Sequence, residues 1–118
     1  MKNIFTIITL TFLSIVSINA QDKSTKKADK QFSRFEFVKA AESYKKLVNN
    51  GKTTDYVVAQ LAECYYNIFN TVEAEKWYAT LAEETTDPNI IFKYSQMLKA
   101  NGKYELSNEW MTKFVKLR

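Results

Sequence analysis

The chain has 118 residues, enough for one domain but not for two of ordinary size. It contains no histidine and one cysteine, Cys64, which excludes serine–histidine catalysis, histidine-ligated zinc and an internal disulfide. The formal net charge is +4, and residues 21–52 hold nine Lys or Arg against four acidic residues. A solvated helix surface explains this charge better than a nucleic-acid partner does, because a net charge of this size is first of all evidence about solubility.

The first twenty residues have the layout of a secretory signal peptide. Met1-Lys2-Asn3 is short and positively charged, and only Thr and Ser interrupt the apolar run over residues 4–18. Ala20 supplies a small residue at the expected cleavage point. The run is shorter than the ~20 apolar residues of a membrane-spanning helix, which favours cleavage over an uncleaved anchor. We therefore expect an exported protein with a signal peptide at 1–20 and a mature part at 21–118.

Six helices are predicted in the mature part, where apolar residues recur at helical spacing between clusters of helix breakers. Only two Gly and one Pro occur, too few for a turn-rich β protein. Breakers lie at 49–51, 85–88 and 101–102, and Asp87 is placed to cap the helix that Pro88 begins. The predicted helices span residues 24–34, 36–49, 55–67, 71–84, 88–100 and 104–117, the first of them mostly polar.

The pattern of small and large residues repeats with an offset of about 33–34 residues, a length typical of stacked helical hairpins. Ala40, Ala74 and Ser107 keep this step. Tyr44, Tyr78 and Met111 are separated by the same steps. In the first helices of the second and third repeats, four positions correspond at a constant offset of 33 residues: Val58 to Ile91, Leu61 to Tyr94, Ala62 to Ser95 and Tyr65 to Leu98. Many positions sharing one offset indicate structural repeats. The predicted fold is all-α, with antiparallel helical hairpins stacked in about three repeats, near 21–54, 55–87 and 88–118.

The middle repeat, with Leu61-Ala62, Tyr65, Ala74 and Tyr78, resembles the tetratricopeptide repeat (TPR). That family places Leu-Gly and an aromatic residue in one helix, then Ala and an aromatic residue in the next. The first repeat matches only in its second helix, and small residues replace the family's glycine. The resemblance implies a short right-handed solenoid of five to six helices that binds other proteins and has no catalytic activity.

A closer resemblance involves the export signal and three segments: FSRFEFVKAA at 32–41, VEAEKWY at 72–78 and KYSQMLKANGKY at 93–104. Together they are similar to the front of OmpA-family envelope proteins associated with type IX secretion. In those proteins the repeats precede a β-propeller and a peptidoglycan-binding OmpA domain, and neither follows here. The resemblance implies a periplasmic, outer-membrane-associated location, but it assigns peptidoglycan binding to no residue of this chain.

The first helices of stacked hairpins line the concave side, so their polar and aromatic residues outside the core are the candidate partner-binding residues. They are Tyr56, Glu63, Tyr66, Asn67, Asn89, Phe92, Gln96 and Lys99. Exposed aromatic residues in a groove suit an extended or helical peptide. For each of these residues, plain solvent exposure is an equal interpretation. Some TPR proteins grip a peptide's terminal carboxylate with Lys and Asn at these places, and that clamp is absent here.

The function predicted from the sequence is a non-catalytic adaptor or scaffold of the cell envelope that binds another envelope protein or peptide. The alternative is a structural repeat domain that self-associates or braces a larger protein. The last helix of the chain is apolar at Trp110, Phe114 and Val115 and lacks the polar cap that solenoids need, which favours a fragment of a longer protein. The alternative is that this uncapped C-terminal helix docks on a partner or on a second copy of the chain. We expect no catalytic residue, metal, cofactor, nucleic acid or small-molecule substrate. Adjacent carboxylates such as Glu83 and Glu84 point apart on a helix.

Overall fold

The computed structural model describes residues 24–117 of the chain. These residues form six α-helices and no strand, which confirms the predicted all-α fold. The helices are α1 (24–33), α2 (Phe37–Asn49), α3 (Asp55–Asn67), α4 (Thr71–Ala82), α5 (Pro88–Ala100) and α6 (Tyr104–Leu117). From the end of α1 to the start of α6, each helix end lies within two residues of its predicted place. The predicted signal peptide lies outside the described residues.

Side-chain caps set the starts of three helices. The Thr54 hydroxyl accepts a hydrogen bond from the Val57 N–H at 3.2 Å. The Asp87 carboxylate accepts one from the Asn89 N–H at 2.9 Å, and Pro88 occupies the first helical position. Asn70 does the same for α4. Each cap satisfies a backbone N–H that has no partner within the helix, so the start of α5 at Pro88 is confirmed with its predicted cause.

The turns within the three hairpins share one left-handed backbone residue. It is Phe35 in the first hairpin (φ 62°), Phe69 in the second (φ 57°) and Gly102 in the third (φ 83°). In each turn the next N–H bonds to a carbonyl five residues back: Glu36 to Gln31 at 3.0 Å, Asn70 to Tyr65 at 2.9 Å and Lys103 to Leu98 at 2.8 Å. This is the Schellman motif, in which glycine is the usual left-handed residue. Phenylalanine there costs about 1–2 kcal/mol of backbone strain.

The helices pack in chain order, and the partners within a hairpin run antiparallel. In the third hairpin the Tyr94 ring meets Trp110, with ring centres 5.1 Å apart, and the Phe92 ring meets Phe114 at 5.3 Å. Earlier residues of α5 therefore contact later residues of α6. In the first hairpin the Ser43 hydroxyl donates to the Gln31 side chain at 2.6 Å, which joins α2 to the end of α1.

Small buried residues mark where the two helices of a hairpin meet. The Ser107 hydroxyl donates to the Ser95 carbonyl at 2.7 Å, and both residues are buried. Their equivalents in the second hairpin, Ala62 and Ala74, are fully buried. A serine fits an alanine position in this contact because its hydroxyl has a hydrogen-bond partner, which removes the cost of burying a polar group. The constant offset in the sequence therefore records a repeated helix contact.

Helix α1 belongs to the repeat more fully than its sequence suggests. Ala28 stands one repeat before Ala62 and is 1% exposed, so α1 presents the same small residue to α2. The position equivalent to the buried Leu61 is held by Lys27, which is exposed. No hairpin within residues 24–117 precedes α1, so this face lies in water and takes a polar residue, as in the terminal element of a repeat stack. The first repeat therefore matches in both helices.

The core between the hairpins is filled by large side chains at repeat positions. Those with the lowest exposure include Tyr44, Leu61, Tyr78, Ile91 and Leu98. The far side of α6 differs, since Val115 is 56% and Leu117 is 46% exposed. The described part of the chain contains no helix with both the length and the apolar character needed to cross a lipid bilayer.

Replacing Phe69 with glycine is expected to stabilise the fold. The ring is 73% exposed and contributes little burial, whereas the left-handed backbone disfavours any residue with a Cβ atom. We expect a gain of about 1 kcal/mol, which raises Tm by roughly 4–8 °C in a domain of this size. Thermal unfolding followed by circular dichroism measures the shift.

Phe69→Ala is the matched control, because alanine removes the ring but keeps the Cβ atom that causes the strain. It should show no comparable gain in Tm. An equal rise in both variants would contradict the explanation, since loss of the ring and not relief of the backbone would then be responsible.

Candidate functional site: a polar groove along the first helices

A groove of about 350 Å³ runs between α1, α3 and the start of α5. Its lining comes from all three hairpins and comprises Phe32, Ala59, Gln60, Glu63, Tyr78, Asp87, Asn89, Ile90 and Lys93. Apolar surface alternates with amide, carboxylate and ammonium groups along it. A concave surface of this mixed composition buries the apolar side chains of a ligand while its polar groups fix the ligand's orientation.

A hydrogen-bonded cluster around Glu63 forms one wall of the groove. The Tyr78 hydroxyl donates to Glu63 Oε2 at 2.8 Å, and Lys93 Nζ lies 2.5 Å from Oε1. Lys93 also lies 4.8 Å from the centre of the Tyr66 ring, which meets Tyr78 edge to face at 6.4 Å. Burial and the hydrogen bond to Glu63 raise the pKa of Tyr78 far above its usual value of 10.0. The carboxylate is therefore held by two donors from two different hairpins.

An equivalent cluster surrounds Asp29 one repeat earlier. The hydroxyls of Tyr44 and Tyr56 both donate to Asp29 Oδ1, the second at 2.8 Å. Gln60 Nε2 donates to the Tyr44 hydroxyl oxygen at 3.3 Å. Burial and the hydrogen bond to Asp29 raise the pKa of both tyrosines. Asp29, Tyr44 and Gln60 occupy the positions that Glu63, Tyr78 and Lys93 hold in the next repeat. The repeat thus encodes a tyrosine–carboxylate pair plus a donor from the next hairpin.

The third hairpin departs from this arrangement. The positions of the carboxylate and the tyrosine hold Gln96 and Met111. The half-buried side chain of Gln96 forms no hydrogen bond within residues 24–117, so its amide is available to a ligand. The two clusters with carboxylates are internally paired, and the third repeat leaves a polar group open.

Four of the eight predicted partner-binding residues lie in or beside the groove. Glu63 and Asn89 line it directly. Tyr56 is 51% exposed and belongs to the Asp29 cluster, and Tyr66 belongs to the Glu63 cluster through its contact with Lys93. Three of these four side chains, Tyr56, Glu63 and Tyr66, therefore belong to the two clusters, a role that the sequence does not reveal.

The other four predicted residues lie away from the groove lining. Asn67 Nδ2 donates to the Glu63 carbonyl at 2.7 Å, which caps its own helix. The Phe92 ring packs against Phe114 and is 36% exposed. Gln96 is half-buried and Lys99 is exposed, both further along α5. Their contact with a partner stays a prediction.

The sequence predicts Glu63 and Asn89 among the nine lining residues and does not predict the others, of which Phe32, Gln60 and Lys93 supply an aromatic ring and two polar groups. Phe32 lies in α1, whose mostly polar sequence hides its part in the groove. Gln60 and Lys93 lie outside the apolar positions that define the repeat. Gln60 and Lys93 stand one repeat apart, so the same comparison applied to polar residues would have found them.

The described residues bring no nucleophilic thiol and no metal-binding cluster into the groove. Cys64 is fully buried, and burial raises the pKa of its thiol to about 12, so it stays protonated. Within residues 24–117 no three His, Cys, Asp or Glu side chains converge as a metal site would require. The lining of the groove offers hydrogen bonds, charge and apolar surface, which are the means of binding.

No protein-family model matches the chain, and a search among curated proteins finds no significant match. Within the site, the Asp29 and Glu63 clusters repeat at the same sequence offset as the buried residues of the core.

Alkaline pH is expected to destabilise the fold through Tyr44 and Tyr78. Their pKa values are raised in the folded chain, so the unfolded chain releases these protons first as pH rises past about 10. The stability they contribute is complete below about pH 10 and is lost above it. Urea unfolding at a series of pH values should show a midpoint that is constant up to about pH 9 and then falls progressively as the pH rises past about 10.

Tyr78→Phe should lower stability by about 1 kcal/mol at pH 8, through loss of the hydrogen bond to Glu63. The difference from wild type should then shrink at high pH, because the variant has one fewer buried phenol to ionise. Tyr104→Phe, at a residue 63% exposed, is the control and should follow wild type. Parallel curves for wild type and Tyr78→Phe would rule out this phenol as a cause of the alkaline loss.

Proposed function

We propose that this protein is a non-catalytic protein–protein interaction module that binds an extended or helical peptide segment of another protein. The observation that carries the proposal is the groove, because three successive hairpins contribute to one continuous lining. A peptide laid across several repeats contacts each of them in turn, as extended concave surfaces of repeat proteins do. The resemblance to the tetratricopeptide repeat supports the same function.

Polar groups of the groove lining keep hydrogen-bonding capacity for a peptide. Asn89 presents its side-chain amide. Gln60 donates one N–H to Tyr44 and keeps the rest of its amide, and Asp87 caps α5 through one carboxylate oxygen and keeps the other. Phe32 and Ile90 add apolar surface between them. Main-chain amides of a bound peptide would pair with the side-chain amides, and its apolar side chains would cover the ring and the aliphatic residue.

The carboxylate clusters contribute rigidity. Asp29 and Glu63 are each held by two donors, so the helices that carry them keep one spacing before a ligand arrives. A preformed groove binds more tightly than a mobile one, because less conformational entropy is lost on binding. The clusters therefore act as supports of the groove, and its exposed amides act as contacts.

The proposed location is the cell envelope, as part of an exported protein related to OmpA-family proteins of type IX secretion. The signal-peptide layout of residues 1–20 and the resemblance in three segments support it. Cell fractionation with mass spectrometry of the amino terminus tests it, and an envelope-associated chain that starts at Gln21 is expected. Recovery of the chain in the cytoplasm with residues 1–20 intact would contradict the proposal.

Blocking the groove tests peptide binding. Ala59→Trp places an indole in the lining without removing any side-chain hydrogen bond. Peptides selected on the wild-type chain from a phage-displayed random library should bind the variant at least about ten-fold more weakly, as loss of a buried contact predicts. Ala100→Trp is the matched control, because Ala100 is exposed at the end of α5 and lies outside the groove.

Two results would overturn the groove as the binding site. One is equal binding of the selected peptides to the wild-type and Ala59→Trp chains, with both folded by circular dichroism. The other is failure of the wild-type chain to select any peptide. If the wild-type chain selects no peptide and light scattering shows oligomers that grow with concentration, self-association through the exposed side of α6 replaces peptide binding as the proposed function.

A further inference from the structure

A second surface is formed by exposed apolar residues at the turns of the first and second hairpins. This turn edge consists of Phe35, Val38, Ile68, Phe69 and Val72, each more than one third exposed. Ile68 shares a shallow cleft with residues 35–39, so the two turns lie side by side. The residues of the edge correspond across the repeat, since Phe35 and Val38 stand one repeat before Phe69 and Val72. The turn edge shares no residue with the lining of the groove.

The fold does not require these residues. In the third hairpin the equivalents of Ile68, Phe69 and Val72 are Asn101, Gly102 and Glu105. The backbone of that turn has the same left-handed residue and the same hydrogen bonds. Phe35 and Phe69 therefore keep a disfavoured backbone conformation although their side chains are 78% and 73% exposed, with one edge of the Phe35 ring against Phe37. Strain that is kept without burial indicates a function for the side chain.

Basic residues extend from the turn edge along α1. Lys26, Lys27, Lys30 and Arg34 are all exposed, and none forms an ion pair with a residue of 24–117. The acidic residue among them, Asp29, points to the other side and accepts hydrogen bonds from two tyrosines. A solvent-exposed helix at the end of a repeat stack needs hydrophilic residues, but it does not need them to be cationic. Glu36 of the same turn pairs with Lys39, so these four cations leave a net positive charge beside the turn edge.

We propose that the turn edge and the α1 cations bind the surface of an anionic phospholipid bilayer. The apolar side chains project from turns and line only a shallow, open cleft, so they suit a soft layer that accepts protruding rings. The adjacent cations match the negative charge of lipid headgroups. A protein partner would need pockets shaped for two separate turns, whereas a bilayer interface needs none. The surface is a peripheral contact, and it is independent of the groove.

Site-specific fluorescence on the full chain tests this proposal. An environment-sensitive probe is attached to Val38→Cys on the turn edge or, as control, to Thr86→Cys in the loop before α5. Native Cys64 is fully buried and does not react. Vesicles of phosphatidylcholine alone are compared with vesicles that also contain phosphatidylglycerol. We expect a blue shift at position 38 with the anionic vesicles only, reversed by high salt, and none at position 86.

Two sets of variants separate binding from folding. Phe35→Gly with Phe69→Gly keeps the turn geometry and should fold at least as well as wild type, yet bind anionic vesicles about ten-fold more weakly. Lys27→Gln with Lys30→Gln should weaken binding by roughly five-fold per charge. Gly102→Phe adds a ring in open space, with the same left-handed strain that Phe35 and Phe69 carry, and should strengthen binding.

Several outcomes would refute the bilayer as the partner. They are equal shifts in neutral and anionic vesicles, equal shifts at both probe positions, or unchanged binding after the double glycine substitution. A shift at position 38 on addition of polyglutamate, with none from vesicles, would assign the surface to an acidic protein instead. None of these results bears on peptide binding in the groove.

Discussion

The contact between paired helices at small buried residues is the constraint on which the rest of this structure depends. Where Ala62 meets Ala74, or Ser95 meets Ser107, a larger side chain would push the helices apart. Once that contact is set, the next positions along each helix face the neighbouring hairpin and take large residues such as Tyr78. The same spacing brings a carboxylate on α3 within reach of the tyrosine on α4. Core and groove therefore follow from one repeated contact.

Much of the fold could be predicted because its causes are local. Asp87 can cap a helix and Pro88 fits its first position, so these two residues predict a helix start, and the spacing of apolar residues identifies each helix. The matched offsets of Ala74 and Ser107 predict the stacking of the hairpins. Helix α1 was harder to place, because Lys27 stands where a hairpin in the middle of the stack would bury leucine. A repeat is recognised by its buried positions, and a terminal helix has fewer of them.

The groove was only partly predictable for a different reason. The sequence predicts Glu63 as a candidate binding residue, but its position between Tyr78 and Lys93 depends on residues 15 and 30 places away. Periodicity along one helix cannot show which groups meet across three helices. The offset between Asp29 and Glu63 was present in the sequence, yet only the geometry shows that these carboxylates are already occupied. The free amide of Gln96 is likewise visible only once the other two clusters are known.

The hydrogen bonds of the two carboxylate clusters have a consequence for how the chain unfolds. Tyr56 reaches back from the second hairpin to Asp29 in the first, and Lys93 reaches back from the third to Glu63 in the second. Each boundary between repeats thus carries a polar link in addition to apolar packing. In a linear array, where each unit touches only its neighbours, such links raise the energy of every partly folded state that breaks a boundary. The molecule should therefore lose its hairpins together, with cooperativity set at the boundaries and not within the repeats.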